Sequence, residues 1–467
     1  MSIGAVVLAA GQGTRMRSSL PKVLHPLGGR PMLRWILDGL AEAGVARTMV
    51  VVGHGADLVR ATLPDGVGSC VQERRLGTGH AAMVGLEALD PSCDTVLVLS
   101  GDVPLVDAAL LRRLVDEHVA GDRAATVVTA RPADAAGYGR VIRAADGSVE
   151  RIVEARDATP DELAVDEINA GLYAFGRAAL ERALGGIGTD NAQGELYLPD
   201  ALPLLGGPVG ALLVDDPQVV AGINDRVELA AVEAAIQRRL REALMRGGVT
   251  MPNPDAVYLE AGVEVGPDTV LWPGTHLRGA TRIAEGCEIG PDVVIADSVV
   301  GKGSLVLSAH LSRSEVGAGC RVGPFAYLRP GAVLRDGARV GTYVELKNTV
   351  LGEGAKVPHL SYVGDADVGE GTNIGAGNIT ANYDGFAKHR TWIGARVKTG
   401  SDCVFVAPVR IGDDAMTGAG SIITTDVPNG ALGIARARQS VIEGFTAKAA
   451  ARAAARAAAA TATGGGS

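Results

Sequence analysis

Leu259, Val265, Leu271, Leu277, Ile283, Ile289 and Ile295 stand six residues apart, and the series resumes as Val316, Val322, Leu328, Leu334, Val340 and Leu346. Six is even, so in extended chain every rung points to the same side; in an α-helix a step of six turns the side chain by about 240° and no face forms. Gly follows several rungs, as in Val265-Gly266, Ile289-Gly290, Val322-Gly323 and Val340-Gly341. A six-residue period with Gly at the turns is the pattern of a β-helix, in which successive coils bury one another's inward side chains. The ladder predicts a β-helix over 250–445, regular to about Leu351, where polar residues crowd in. The longest interruption is Asn382-Tyr383-Asp384-Gly385-Phe386-Ala387-Lys388, and insertions in repeat folds map to one face.

Upstream of the ladder the pattern changes. Ala5–Ala9, Thr48–Val52, Thr95–Leu99 and Ala125–Thr129 are short apolar runs suited to strands buried on both faces. Between them, Leu33, Ile36, Leu37 and Leu40 have helical spacing, as do Met83, Leu86 and Leu89 behind Thr78 as a candidate N-cap. This alternation predicts an α/β domain over 1–224 with a mostly parallel, Rossmann-like sheet, whose ligands sit beyond the carboxyl ends of the strands. Leu229, Val232, Ile236, Leu240 and Leu244 then form one helical stripe, ended by Gly247-Gly248, so 225–249 reads as a helical linker. Residues 446–467 are an Ala-rich tail, with a marginal helix over Ala447–Ala460 and disorder expected from Thr461 to Ser467.

Composition narrows the partners. The formal charge of −9 on 467 residues contains no basic block, which argues against nucleic acid and anionic membrane as general partners and leaves phosphorylated ligands open. Gly, at 64 residues, is about twice its usual share. The five Cys are odd in number, scattered and without a CxxC pair, which favours free thiols and a cytoplasmic location. No leader-like or membrane-spanning run interrupts the sequence.

Two sets of polar residues carry chemistry. Leu8-Ala9-Ala10-Gly11-Gln12-Gly13-Thr14-Arg15-Met16 follows the first strand, so backbone N–H groups there can approach phosphate, with a helix start adding its positive end. Gly-x-Gly alone is a tight turn; with Arg15 and Pro21-Lys22 it suits an anionic ligand. Asp102, in Ser100-Gly101-Asp102-Val103-Pro104, ends a strand, a place for a Mg²⁺ ligand as well as for a helix cap. In the ladder, Lys347 and His359 stand near its irregular part; singly they read as a solvated charge and a surface imidazole, though His is the usual base for an amine nucleophile.

The full spacing through Met16 and then Pro21-Lys22-Val23-Leu24 resembles the sugar-1-phosphate nucleotidylyltransferases, and Gln72 with Leu76-Gly77-Thr78-Gly79-His80 resembles the base-recognition segment of their uridine-selective members. Over Ile3 to about Phe445 the chain resembles the bacterial family of bifunctional N-acetylglucosamine-1-phosphate uridylyltransferase/glucosamine-1-phosphate acetyltransferases. That resemblance implies Mg²⁺ on Asp102 and Asn224, and charge offset by Arg15 and Lys22. It implies UTP or UDP-N-acetylglucosamine contacts at Leu8, Ala9, Ala10, Gly11, Gly13, Lys22, Gln72, Gly77, Thr78, Gly139, Glu154, Asn169 and Asn224. Ser100 stands where some relatives carry Tyr.

In the second half the resemblance implies His359 as the base, with Arg329, Lys347, Tyr362, Asn373 and Lys388 around the sugar phosphate. Asn382, Tyr383, Ser401, Ala419 and Arg436 match acetyl-CoA contacts. It further implies a left-handed β-helix, a homotrimer, and two reactions. Glucosamine 1-phosphate is acetylated from acetyl-CoA, and the product is joined to UTP with release of pyrophosphate, making a precursor of peptidoglycan. A runner-up keeps only the nucleotidyl transfer and uses the β-helix to assemble subunits; a third reading is a non-catalytic regulatory subunit.

Overall fold

The computed structural model describes residues 2–463. Two compact units divide it, one running to Arg282 and including Val294–Asp297, the other comprising Ile283–Val293 and the chain from Ser298 onward.

The first unit is organised by a sheet in the order Val209–Leu213, Ala125–Ala130, Ile168–Gly176, Thr95–Ser100, Ile3–Ala9, Arg47–Val52 and Gly68–Val71. All run parallel except Ile168–Gly176, which is antiparallel to both neighbours. The apolar runs fill these strands because the sheet is covered on both sides. Ala5, Val7, Val50 and Leu97 pack with the Met32–Glu42 helix, whereas Val6, Val51, Val96 and Val98 pack with the Thr78–Ala88 and Arg177–Leu184 helices. Neighbours in one strand thus serve opposite layers, the period-two rule of extended chain.

Thr78 is not the N-cap expected from its position. Gly77 occupies that place without a side-chain cap, and the Thr78 hydroxyl instead accepts from the Leu198 N–H at 3.0 Å. The pull of the 195–198 segment outweighs local capping here.

The helix expected as a linker is Arg226–Arg246, started by Asp225, whose carboxylate accepts from the Val227 and Glu228 amides in a capping box. It is packed within the first unit: Val232, Ala235 and Ile236 are buried with Leu27, Met32, Leu105 and Ile223. Buried Gln237 pairs with Leu259 as a strand would, donating to its carbonyl at 2.7 Å and accepting from its amide at 2.9 Å. The helix thereby satisfies backbone groups of the Val257–Leu259 strand, which would otherwise be an exposed edge.

In the second unit the ladder becomes a parallel hexapeptide-repeat β-helix. Consecutive coils pair Ala309–Ser312 with Ala326–Leu328 and then Glu345–Lys347 and Tyr362–Gly364 on one face, with two further faces formed likewise. Val316, Val322, Leu328, Leu334, Val340 and Leu346 are all buried. The ladder does not fail after Leu351 as expected. Leu351, Val357, Val363, Val368 and Ile374 are buried too, in steps of five or six. A five-residue step marks a tighter corner, turned by a left-handed residue such as Arg313, Asn348 or Asp365. Lys347 and His359 are therefore ordinary outward positions of regular coils, and only the Asn382 segment leaves the repeat.

The tail also differs from expectation. A helix runs Phe445–Thr463, continuing through Thr461–Thr463, and every described side chain from Arg436 to Ala460 is exposed. An Ala-rich run of this length forms a helix from propensity alone. The expected disorder of Gly464–Ser467 concerns residues outside those described.

Candidate active sites

At the carboxyl ends of the parallel strands lies a cavity of about 500 Å³. Leu8, Ala9, Ala10, Gly11, Lys22, Gln72, Gly77, Thr78 and Asp102 line it, drawn from four separate segments. Gly101 is the reason two strand ends can meet there: a Cβ on it would lie 2.8 Å from the Leu8 carbonyl, to which its own N–H donates at 2.9 Å. Asp102 follows, and its carbonyl accepts from the Ile223 N–H at 3.0 Å, placing Asn224 alongside.

The Lys22 ammonium is ion-paired with the Asp102 carboxylate and donates to Asn224 Oδ1 at 3.3 Å. Both oxygens thus converge on one cation, with Lys22 and Asp102 side chains only 14% and 19% exposed. Among the described residues no group of three or more His, Cys, Asp or Glu side chains is placed to hold a metal ion. A carboxylate with an amide oxygen is a donor pair that suits Mg²⁺, which keeps waters and substrate phosphates in its remaining positions.

The glycine loop differs in one respect from expectation. Only a single 3-10 turn, Thr14–Met16, follows it, so there is no helix dipole. The nearby cations are Lys22 and Arg75, the second of which sequence reasoning passed over; both line the cavity, while Arg15 on the loop itself is exposed. Gln12 and Glu195 line it as well. Gln72 donates to the Gly77 carbonyl at 3.1 Å and lies 3.0 Å from His80 Nδ1, while Leu196 exchanges backbone hydrogen bonds of 2.7 Å with Leu76 and Gly79. This 195–198 segment had no signature beyond its aromatic and acidic residues.

Gly139, Glu154 and Asn169 form a neighbouring group. The Asn169 amide donates to the Gly139 carbonyl at 2.9 Å, and its side-chain oxygen accepts from Gly171 N–H and Tyr173 O–H at 3.0 and 2.9 Å. A register shift between Asn169 and Tyr173 turns this stretch out of the ladder, a usual device for aiming a side chain. Burial, then Asp157 and Asp200, push the Glu154 carboxyl above its ordinary range. Gly13, Arg15, Gly139, Glu154, Asn169 and Asn224 are not among the residues lining the cavity itself.

On the β-helix a second cluster forms on one outer face. Register aligns Tyr327, Glu345 and Tyr362 in one column and sets Lys347 beside Gly364 in the next. Arg329 donates to Glu345 at 2.7 Å, and the Lys347 ammonium lies 3.5 Å from Asp365 Oδ2. Lys388, from the inserted segment, lies against Lys347, which holds the Lys388 ammonium below its ordinary pKa. A Cβ on Gly364 would fall 2.3 Å from the Tyr362 hydroxyl, so the Tyr362 ring lies over bare backbone. Its hydroxyl accepts from Asn382 Nδ2 at 3.4 Å.

His359 ends the Lys356–His359 strand at the corner leading to Tyr362; it is exposed, and among the described residues its ring makes no hydrogen bond. Asn373 is not brought into this cluster: it aligns with Lys356, three strand positions before His359. Ser401 and Ala419 occupy consecutive coils, the Gly420 N–H donating to the Ser401 carbonyl at 2.8 Å. Tyr383 and Arg436 are exposed, the Tyr383 hydroxyl donating to Gly385 at 2.6 Å. Sequence reasoning missed Glu345, Asn348, Gly364 and Asp365. The five-residue steps Leu346 to Leu351 and Val363 to Val368 were their one visible signal.

Residues 5–186 match the MobA-like NTP transferase domain, and residues 280–373 match the GlmU-like C-terminal hexapeptide family. The chain is 49% identical to the bifunctional protein GlmU of Mycolicibacterium gilvum over 95% of its own length and 91% of that protein. It is 49% identical to that of Kineococcus radiotolerans over 94% and 91%, and 48% identical to that of Heliobacterium modesticaldum over 94% and 97%.

Proposed function

The chain belongs to the bifunctional GlmU family of uridylyltransferase–acetyltransferases of UDP-N-acetylglucosamine synthesis, and on that premise we propose a role for each site and its residues. The β-helix site acetylates glucosamine 1-phosphate from acetyl-CoA. The cavity of the first unit then joins N-acetylglucosamine 1-phosphate to UTP.

In the first reaction His359 takes the proton of the sugar amine as its nitrogen attacks the acetyl carbonyl; the C–N bond forms, the C–S bond breaks and coenzyme A leaves as thiol. Arg329, Lys347 and Lys388 receive the sugar phosphate, with Tyr362 alongside; Asn373, outside that cluster and aligned with Lys356, acts from the neighbouring strand. Asn382, Tyr383, Ser401, Ala419 and Arg436 face acetyl-CoA. What carries this reading is the charge of the outer face: three clustered cations stand against only two carboxylates, Glu345 and Asp365. A net positive patch, with the exposed imidazole of His359 at the corner that leads to Tyr362, suits a phosphorylated amine, and a β-helix that only assembled subunits would have no use for it.

In the second reaction a phosphate oxygen of the sugar attacks the α-phosphate of UTP and pyrophosphate leaves. Positioning and charge offset do the work, since no covalent protein chemistry is required. Gln72 with the Gly77–Thr78 turn orients the uracil, the Leu8–Gly13 loop and Lys22 meet the phosphates, Arg15 offsets pyrophosphate charge, and Gly139, Glu154 and Asn169 meet the sugar. Asp102 and Asn224 would hold Mg²⁺, which when bound neutralises charge on the phosphates; the way their oxygens already surround the Lys22 ammonium supports this.

The proposed assembly is a homotrimer. Phe325, Tyr343 and Leu360 turn successive corners with left-handed φ of 54°, 57° and 50°, and are 58%, 61% and 63% exposed. Bulky residues in that conformation cost stability, and an apolar column of them in water suits a second copy of the chain as its cover. A cytoplasmic location accords with the five free cysteines; no helix among the described residues is long and apolar enough to cross a membrane. The deciding experiment supplies glucosamine 1-phosphate, acetyl-CoA, UTP and Mg²⁺ and follows thiol and pyrophosphate separately. Thiol without pyrophosphate, or the reverse, would remove one of the two activities.

A further inference from the structure

The Asn382 insertion replaces a corner of the β-helix, and the corner beneath it is Asp365. In two preceding coils that corner is turned by Gly331 and then Asn348, both left-handed. Asp365 keeps the same conformation at φ 49° but is 8% exposed, which is unusual for a carboxylate on an outer corner. Its burial is compensated on both oxygens. Oδ1 accepts from Asn348 Nδ2 at 2.7 Å; Oδ2 accepts from Asn382 Nδ2 at 2.5 Å and faces the Lys347 ammonium at 3.5 Å. The backbone carbonyl of Asp365 accepts from the Thr391 N–H at 3.0 Å. Asp365 therefore fastens the insertion at both ends, Asn382 by its side chain and Thr391 by its main chain.

We infer that Asp365 is a positioning residue for acetyl transfer, one carboxylate that fixes Lys347 on the sugar-phosphate side and Asn382 on the acetyl-CoA side in a single arrangement. The inference rests on the reading of the β-helix face given above. It follows from what each neighbour would do otherwise. Lys347 and Lys388 face each other as like charges, and Asp365 is the carboxylate beside Lys347 that offsets them. Asn382 begins an excursion closed by a Tyr383–Lys388 bridge, whose tip residue Phe386 is 97% exposed. Without the Asp365 bond the segment that carries Asn382, Tyr383 and Lys388 would be held mainly by its own internal turns. A buried carboxylate with three donors is fixed far better than an exposed pair, so it can set the spacing of both groups.

Asp365→Asn keeps the shape and removes the charge. In the full chain, thiol release is measured against varied glucosamine 1-phosphate and varied acetyl-CoA, with pyrophosphate release from UTP followed in parallel. Expected are a KM for glucosamine 1-phosphate raised about tenfold and a kcat of acetyl transfer lowered about tenfold, the scale of one charge-assisted hydrogen bond. Uridylyl transfer should stay within about twofold of wild type. Combined with Lys347→Ala, the losses should fall well short of multiplying, because both changes break one arrangement.

Asp365→Asn with both acetyl-transfer parameters within twofold of wild type overturns the inference, as do fully multiplying losses in the double variant. Should Asp365→Asn fail to fold, Asn348→Gly keeps the left-handed corner and withdraws only the Oδ1 donor; a shift of about threefold in the same direction is expected, and no shift overturns the inference equally. A wild-type chain that releases no thiol from acetyl-CoA and glucosamine 1-phosphate defeats the reading of the face itself, and the inference with it.

Discussion

On the proposed reading, the two sites hold a phosphorylated sugar in opposite ways. The first is concave: Lys22 and Asp102, from distant segments, line a cavity where strand ends converge, with Asn224 bonded to Lys22 beside it and the ionic groups largely hidden. The second is a face, where Arg329, Lys347 and Tyr362 stand on successive coils, and Arg329 and Lys347 are each paired with a carboxylate while Lys388 lies against Lys347. Concavity shields charge by enclosure; on the face shielding is uneven, the Arg329 and Glu345 side chains being 39% and 38% exposed while mutual bonds hold those of Lys347 and Asp365 at 20% and 11%. On the face the hydrogen bonds centre on Asp365.

Separability is the sharpest consequence. His359→Ala should lower acetyl transfer by about 10³–10⁴, the upper range for loss of a positioned base, and leave uridylyl transfer within about twofold. Survival of acetyl transfer within a few-fold would show that another group takes the amine proton. Asp102→Ala should do the reverse, reducing pyrophosphate release by about 10²–10³ with thiol release unchanged. Loss of both activities in either variant would mean that the hidden site and the exposed face are not independent.

Smaller effects probe how the face is built. Gly364→Ala places a methyl group where the Tyr362 hydroxyl lies, so the ring must swing away; KM for glucosamine 1-phosphate should rise about tenfold, with the melting temperature little changed because Tyr362 is on the outside. An unchanged KM would show that the ring position is immaterial. The smallest effect concerns pH. Lys347 depresses the Lys388 pKa, so as pH rises Lys388 loses its charge before an ordinary lysine does, and affinity for the sugar phosphate weakens on the alkaline side. Lys388→Arg should carry that limb to higher pH; a KM profile identical to wild type would remove Lys388 from phosphate binding.

How much of this could be read in advance differs between the two regions. The strands and the Met32–Glu42 helix were legible because burial of alternating or 3.6-period apolar residues leaves a direct trace. Thr78 was misread as a cap since its hydroxyl is claimed by Leu198, more than a hundred residues away, and no local rule contains that competitor. The ladder was misread after Leu351 for a different reason. A strict period of six treats every five-residue corner as a fault, whereas the coil closes with either count when a left-handed residue turns it. Asp365 was invisible for the same cause, its importance coming from what lies one coil below and from the insertion above.

By itself the sequence determined the two architectures, because periodic burial is a local property of residue order: six for the β-helix, strand and helix in alternation before it. It also singled out the segments to which the proposed chemistry is assigned, the Gly11–Arg15 loop, the Asp102 strand end and the Lys347–Lys388 stretch, and the family resemblance attached roles to them. Only the tertiary structure decided the partners: Lys22 with Asp102 and Asn224, Tyr362 over Gly364, and Asp365 between Lys347 and Asn382. Those are pairings across strand ends and between coils, and their free energies depend on distance and burial, which residue order alone does not contain.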